Sequence, residues 1–236
     1  MQEQLARVTS GEINRLAIFM PPRSGKSEMT TIRYPVWRLE CDPTTRIIIG
    51  AYNQFIASKF SRRARRIAES RFALAPDRQA VEEWETPDGG GVRAVGVGSG
   101  VTGSGANVIL VDDPVKSREE AESPAYRERC WDWYTDDLYT RLEPGGAIVL
   151  IQTRWSEDDL AGRVLNSEDG KHWTVISLPA LAEGNDPLGR QPGQALNPER
   201  FDETELERIR LVLGDAGFAA LYQQRPQPEG GAIFKR

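Results

Sequence analysis

Histidine and cysteine are nearly absent from this sequence, whose 236 residues include one histidine and two cysteines. Cys41 and Cys130 are not paired at the short spacing of a zinc or redox motif, so we expect two reduced thiols rather than a disulfide. His172 precedes Trp173 at an expected strand start, where a packed or solvated imidazole is predicted. These scarcities exclude a Cys/His zinc site and a histidine-based catalytic triad.

Long hydrophobic runs are also missing. No apolar stretch approaches the length of a membrane span, and the first seven residues lack the apolar core of a signal peptide. With 39% hydrophobic and 28% charged residues, the composition is that of a soluble globular protein. We therefore expect one large α/β domain in the cytoplasm, without a membrane partner.

Positive charge is not in excess, because the net charge is −5. This net charge argues against a protein whose entire surface binds nucleic acid. However, 25 of the 30 basic residues are arginine, which suits bidentate phosphate contacts, although codon composition would also produce this bias. A helix predicted after Asn53 has an arginine-rich face formed by Arg62, Arg63, Arg65 and Arg66. A solvated face is the commoner explanation, and contact with DNA or phosphate is the alternative.

The main motif follows the first predicted strand, Leu16 to Met20, and reads Pro-Pro-Arg-Ser-Gly-Lys-Ser. A strand, a glycine-containing loop and a helix in this order are typical of a phosphate-binding P-loop. We assign triphosphate binding to Pro22, Arg23, Ser24, Gly25, Lys26 and Ser27. Lys26 is predicted to contact the β- and γ-phosphates, and the Ser27 hydroxyl to help hold Mg²⁺. The full signature has glycine where this chain has Met20, and a plain turn is the alternative.

Two carboxylates lie at the carboxyl end of another apolar strand, which begins at Val108 and has Asp112 as its last residue. Asp112 is predicted to bind Mg²⁺ directly or through water, and Asp113 to orient or deprotonate the attacking water. Adjacent strand residues point to opposite faces, so the two should have different roles. Glutamate is commoner in the second role, and Asp113 is one methylene shorter. A turn after a core strand is the alternative.

A third apolar strand ends at Thr153 and is expected beside the P-loop strand. There the Thr153 hydroxyl would sense the γ-phosphate, and Arg154 and Trp155 would carry the signal into a helix capped by Ser156. Alternatively, Thr153 only ends a strand. The alternation of strands and helices predicts a doubly wound, mainly parallel sheet. A β-hairpin is predicted from Gln79 to Gly96, and two helices near the end, at 203–213 and 218–224.

Taken together, three motifs resemble the ATPase domain of the terminase large subunit of tailed bacteriophages. They are Pro21-Pro-Arg-Ser-Gly-Lys-Ser27, Val111-Asp-Asp-Pro-Val-Lys116 and Gln152-Thr-Arg-Trp-Ser-Glu-Asp-Asp-Leu160. The resemblance runs from about Glu12 to Pro226. It implies an additional-strand, RecA-like P-loop NTPase fold that uses ATP and Mg²⁺. It also implies a ring of subunits on the capsid portal that hydrolyses ATP to drive double-stranded DNA into a procapsid.

The resemblance further implies a portal protein and a small terminase subunit as partners, in the cytoplasm of an infected bacterium. The isolated chain is expected to be a monomer. We expect a motor domain at 1–226 and, at 227–236, the start of a linker to a nuclease domain that this sequence does not contain. Cutting activity is therefore not expected. The family's N-terminal segment, which helps hold adenine, looks short or missing.

An arginine that stabilises transition-state charge is harder to assign. Related sequences often read Thr-Gly-Arg-Gly where this chain has Thr102-Gly-Ser-Gly105, and Ser104 cannot replace an arginine that contributes ~10³–10⁵ in rate. Arg23, Arg141 and Arg154 are the remaining candidates, in this order. For each, an ordinary salt bridge is the alternative.

Three rival functions remain. A helicase-type motor needs a second RecA-like domain, for which this chain has no room. A nucleotide-binding assembly module with little hydrolysis is favoured by Met20, Asp113 and Ser104, where the family pattern is not followed. A small-molecule kinase is the weakest rival, because no arginine-rich lid segment is recognisable.

Overall fold

A mainly parallel sheet forms the centre of the protein in the computed structural model, which describes residues 1–101, 103 and 105–227. Within these residues the sheet has seven strands, in the spatial order β3-β4-β2-β5-β6-β1-β7. Every neighbouring pair is parallel except β3 and β4, which form the predicted hairpin. The strands are β1 (Arg15–Phe19), β2 (Arg46–Ala51), β3 (Glu83–Glu85), β4 (Gly91–Gly96), β5 (Ala106–Asp112), β6 (Leu142–Gln152) and β7 (Thr174–Ser177).

Helices cover both faces of this sheet. They are α1 (Gln2–Thr9), α2 (Tyr34–Cys41), α3 (Gln54–Ala68), α4 (Arg118–Glu122), α5 (Pro124–Asp132), α6 (Leu160–Asn166) and α7 (Glu203–Leu221). π-helical turns at Glu28–Arg33 and Trp133–Leu138 precede α2 and follow α5, and 3₁₀ turns lie at Tyr139–Arg141 and Glu168–His172. No helix in the described part of the chain is long and apolar enough to cross a membrane.

Alternation along the strands divides the core into two layers. Ile109 of β5 and Leu150 of β6 face a layer that contains Trp133 and the apolar residues of α5 and α6. Their neighbours Leu110 and Val149 face the opposite layer, which contains residues of α1, α2 and α3. The α/β fold with helices on both sides of a mainly parallel sheet is therefore confirmed.

The position of β6 determines the geometry of the site. β6 lies between β1 and β5, with Gln152 opposite Phe19 and Ile151 opposite Asp112. The carboxyl ends of β1, β5 and β6 consequently meet at one edge of the sheet, where ligands bind in open α/β sheets. The expectation that the Thr153 strand lies beside the P-loop strand is confirmed.

Some local predictions were wrong. Asp159, not Ser156, caps α6, because its carboxylate accepts a hydrogen bond from the Gly162 N–H. The two predicted C-terminal helices are confirmed as the two segments of α7, which a kink at Gly214, where φ is 73°, separates, although the second segment ends at Leu221 rather than at residue 224. The two cysteines are free, as predicted, and His172 is exposed beside Asp169.

Candidate functional site

The loop after β1 has an unusual backbone. Arg23 and Gly25 lie in the left-handed region, with φ of 59° and 87°. Met20 does not, so the glycine that the family signature has at this position is not required by the backbone here. Its side chain is buried instead in the core layer beside α1 and α2. The Ser24 hydroxyl closes the loop by donating to the Pro21 carbonyl, at 2.7 Å.

Lys26 connects three separate parts of the chain. Its Nζ donates to Oγ1 of Thr153 at 2.9 Å and pairs with Oδ2 of Asp113, also at 2.9 Å. Lys26 is 5% exposed. The structure therefore brings together the P-loop lysine, the residue after β5 and the residue after β6.

Asp113 reaches this site because its backbone leaves the strand geometry. β5 ends at Asp112, and Asp113 has a φ of 41°. Its carboxylate accepts from the Thr153 N–H at 2.7 Å, while its own N–H donates to the Ile151 carbonyl at 2.8 Å. The expectation that the two carboxylates point to opposite faces was wrong, because strand alternation does not extend to Asp113. The short side chain also reaches Lys26.

Asp112 is held by two hydroxyl groups. Ser27 Oγ donates to its Oδ1 at 3.0 Å, and Thr31 Oγ1 donates to its Oδ2. Burial raises the pKa of Asp112 to about 7, and the Asp113 carboxylate acts in the same direction, whereas Lys26 and the two hydroxyls oppose them. Sequence reasoning missed Thr31, although its position four residues after Ser27 places both hydroxyls on one helical face.

The oxygen atoms beside Asp112 suit a magnesium ion. A hydroxyl and a carboxylate, 3.0 Å apart, are the hard ligands that Mg²⁺ prefers. No group of three or more His, Cys, Asp or Glu residues in the described ranges could hold a metal. The Ser27 hydroxyl and the Asp112 carboxylate alone fit a Mg²⁺ ion that is held by one or two protein groups together with the substrate phosphates.

A cleft of about 750 Å³ opens next to the loop. It is lined by Leu5 and Ala6 of α1, by Tyr34 and Trp37 of α2, and by Gly25 of the loop. The cleft is mostly apolar and large enough for an aromatic base. Although the family's N-terminal segment looked short or missing in the sequence, α1 contributes a wall here.

Comparison with known proteins decides the family. A family model described as the T4likevirus-type, N-terminal part of the terminase large subunit matches residues 17–236. The chain belongs to this terminase family. It is 25% identical over 258 residues to the terminase large subunit of Enterobacteria phage T3, and the match covers 95% of the chain and 43% of that protein. The chain thus spans less than half the length of this curated relative.

Solved terminase structures share the fold. The large terminase of bacteriophage HK97 superimposes with a TM-score of 0.58 at 13% identity, over 95% of this chain and 50% of that one. The ATPase domain of the Thermus phage P74-26 large terminase gives 0.54 at 14% identity, over 92% and 90% of the two chains. The predicted P-loop fold of the terminase ATPase domain is confirmed, with β6 as the additional strand between the P-loop strand and the Asp112 strand.

The three arginines that are candidates for stabilising transition-state charge lie in different environments. Arg23 is exposed on the P-loop itself. Arg141 precedes β6, whose 11 residues separate it from Thr153, so it lies at the opposite edge of the sheet. The bulge between Leu142 and Ala147 shortens the path to about nine strand steps, or roughly 30 Å. Arg154 is engaged with Asp159, its Nε lying 2.9 Å from Oδ2, and its guanidinium covers the Phe19 ring. Ser104 lies outside the described residues.

A residue near the end of the described chain contacts the residue after Thr153. Gln224, only 5% exposed, accepts a hydrogen bond at its Oε1 from the Arg154 N–H at 3.2 Å. Sequence reasoning missed Gln224, since no local spacing links it to the strand end that it contacts. It placed Asp159 only among the acidic residues at the start of the helix after Thr153, and missed its contact with Arg154. The predicted linker at 227–236 lies outside the described residues, apart from Gln227.

Proposed function

We propose that this chain is a terminase motor domain, residues 1–226, that hydrolyses ATP to move double-stranded DNA into a procapsid. The observation that supports this most directly is the meeting of Lys26, Asp113 and Thr153 at the carboxyl ends of three neighbouring strands, β1, β5 and β6, with Asp112 beside them. Membership of the terminase family supplies the biological setting.

Substrate binding requires Lys26 to change partners. The N–H groups of residues 23–27 would contact the phosphates, and Pro22 would stiffen the loop. Lys26 would leave Asp113 and Thr153 for the β- and γ-phosphates, which offer more negative charge than one carboxylate. Ser27 and Asp112 would hold Mg²⁺, which neutralises phosphate charge when bound. The apolar cleft beside Trp37 would take the adenine.

The same exchange prepares Asp113 for chemistry. Once Lys26 moves, the Asp113 carboxylate is free to accept a proton from the attacking water, while the Thr153 N–H keeps it oriented. The Thr153 hydroxyl also loses Lys26 and becomes available to the γ-phosphate. We propose Thr153 as the residue that detects phosphate loss.

Charge stabilisation in this proposal comes from an arginine of the chain's own loop or of a neighbouring subunit. Arg23 is the first candidate for charge stabilisation, because it is exposed on the loop that binds the phosphates. Arg141 could reach only the site of another subunit in a ring. The working assembly would include the portal protein and the small terminase subunit, in the cytoplasm of the infected host.

The test is phosphate release by wild type, Lys26→Ala and Asp113→Asn, with and without duplex DNA, with ATP binding measured in parallel. Lys26→Ala should lose both binding and hydrolysis, and Asp113→Asn should bind ATP but lose ~10²–10⁴ in rate. Lys171→Ala is the matched control, since this lysine is exposed and remote from the site. If wild type binds ATP but releases no phosphate under any assembly condition, the assembly-module function replaces the motor.

A further inference from the structure

Helix α3 concentrates positive charge in an acidic protein. Its 15 residues include Lys59 and four arginines but no aspartate or glutamate, while the whole chain has a net charge of −5. Ala57, Ser61, Ala64 and Ala68 of the same helix are buried. The cationic side chains are therefore displayed on the remaining surface of a helix that is fixed on the sheet.

Three of these cations form one row. Lys59, Arg62 and Arg66 are spaced three and four residues apart, which places them on the same helical face, and all three are exposed. We call these three residues the outer stripe. Phe55, four residues before Lys59 and 75% exposed, continues the row toward the start of α3.

Ion pairing distinguishes the outer stripe from the other arginines of α3. Arg63 pairs with Glu28 at 2.5 Å, and Arg65 lies 3.3 Å from Glu69 and donates to the Gln79 carbonyl. By contrast, no carboxylate in the described ranges pairs with a member of the outer stripe. The protein thus neutralises the inner charges and leaves the outer row available to an external anion.

We propose that the outer stripe binds the phosphate backbone of double-stranded DNA, an inference that rests on the proposed function. Lys59 to Arg66 covers about 10.5 Å of helix axis at ~1.5 Å per residue. One strand of a duplex carries a phosphate for roughly every 3.4 Å of its axis, so this length faces about three phosphates. Three cations on a rigid helix match this charge density, and the contact is independent of base sequence.

The location of the stripe connects it with the nucleotide site. α3 follows β2, whose last residue, Ala51, lies opposite Asp112. Glu28 comes directly after Ser27 of the P-loop and joins Arg63 to Arg33. DNA on the outer stripe would therefore contact a helix that is ion-paired to the turn following the P-loop.

The experiment measures fluorescence anisotropy of two labelled duplexes of unrelated sequence, each of about 20 base pairs, or roughly two helical turns. The variant is Arg62→Ala/Arg66→Ala. The matched control is Lys171→Ala/Arg208→Ala, which removes the same charge from two exposed positions elsewhere. Thermal unfolding of each protein checks that the fold is retained, and anionic lipid vesicles provide a second polyanion.

Wild type and control should bind both duplexes equally. The variant should bind each duplex at least tenfold more weakly. Because each phosphate contact contributes ~0.9 to the slope of log K against log salt, the loss of two arginines should also reduce the magnitude of that slope by about 1.8. Equal binding by variant and wild type, or stripe-dependent binding of vesicles without duplex binding, overturns the inference. Wild-type ATP turnover that does not depend on Lys26 instead overturns the proposed function, and leaves stripe-dependent DNA binding standing.

Discussion

The Nζ atom of Lys26 lies 2.9 Å from Oδ2 of Asp113 and 2.9 Å from Oγ1 of Thr153. In the proposed function, both partners compete with phosphate for the lysine. Nucleotide binding would then break these two contacts and release the groups to which we assign water activation and phosphate sensing.

Asp113→Asn should tighten ATP binding while it slows hydrolysis. The substitution removes the carboxylate that holds Lys26 and also a negative charge beside the phosphates. We expect the Kd for ATP to fall by roughly threefold to tenfold, measured by calorimetry. Thr153→Val removes only an uncharged partner and should change the Kd less. Weaker binding by Asp113→Asn would contradict competition for Lys26.

Thr31 should position Asp112. Thr31→Val keeps the shape of the side chain but leaves Asp112 with one hydroxyl donor instead of two. We expect a loss of about 1–2 kcal/mol in unfolding free energy and a higher Mg²⁺ concentration for half-maximal ATP turnover. Thr31→Ser, which retains the donor, should restore the Mg²⁺ requirement. An unchanged requirement in Thr31→Val would show that Ser27 alone suffices.

Gln152→Met should stabilise the protein. The Gln152 side chain is 1% exposed, and neither its Oε1 nor its Nε2 has a hydrogen-bond partner within the described residues. Methionine fills a similar volume without a polar group, so urea denaturation should give an increase of about 1 kcal/mol. A loss of stability would mean that Gln152 has a polar partner in solution.

The loop between β7 and α7 should make stability depend on pH. Hydrogen bonds from Arg190 lower the pKa of Asp186, whose carboxylate also accepts from the N–H groups of Leu188 and Arg190. Because the folded pKa lies below the unfolded one of ~3.9, this contribution is present above that pH and is lost as the pH falls through the folded value. Asp186→Asn should flatten the acid limb of a plot of melting temperature against pH. An acid limb equal to that of wild type would contradict this assignment.

The main elements could be predicted because their signals are local. Apolar runs located the central strands, and the spacing of Gly25, Lys26 and Ser27 located the P-loop. The positive φ of Asp113 could not be predicted, since it depends on hydrogen bonds to Thr153 and Ile151 across the sheet. The family assignment is shown, whereas the roles of the individual site residues stay predictions.

The hydrogen bond from the Arg154 N–H to Gln224 has a mechanical consequence. It fastens Gln224, near the end of the described residues, to the residue next to Thr153. A rotation of the Thr153 backbone after phosphate loss would pull directly on the chain at Gln224. In the proposed function, Gln224 would thus be coupled to the chemistry through the peptide group of Arg154.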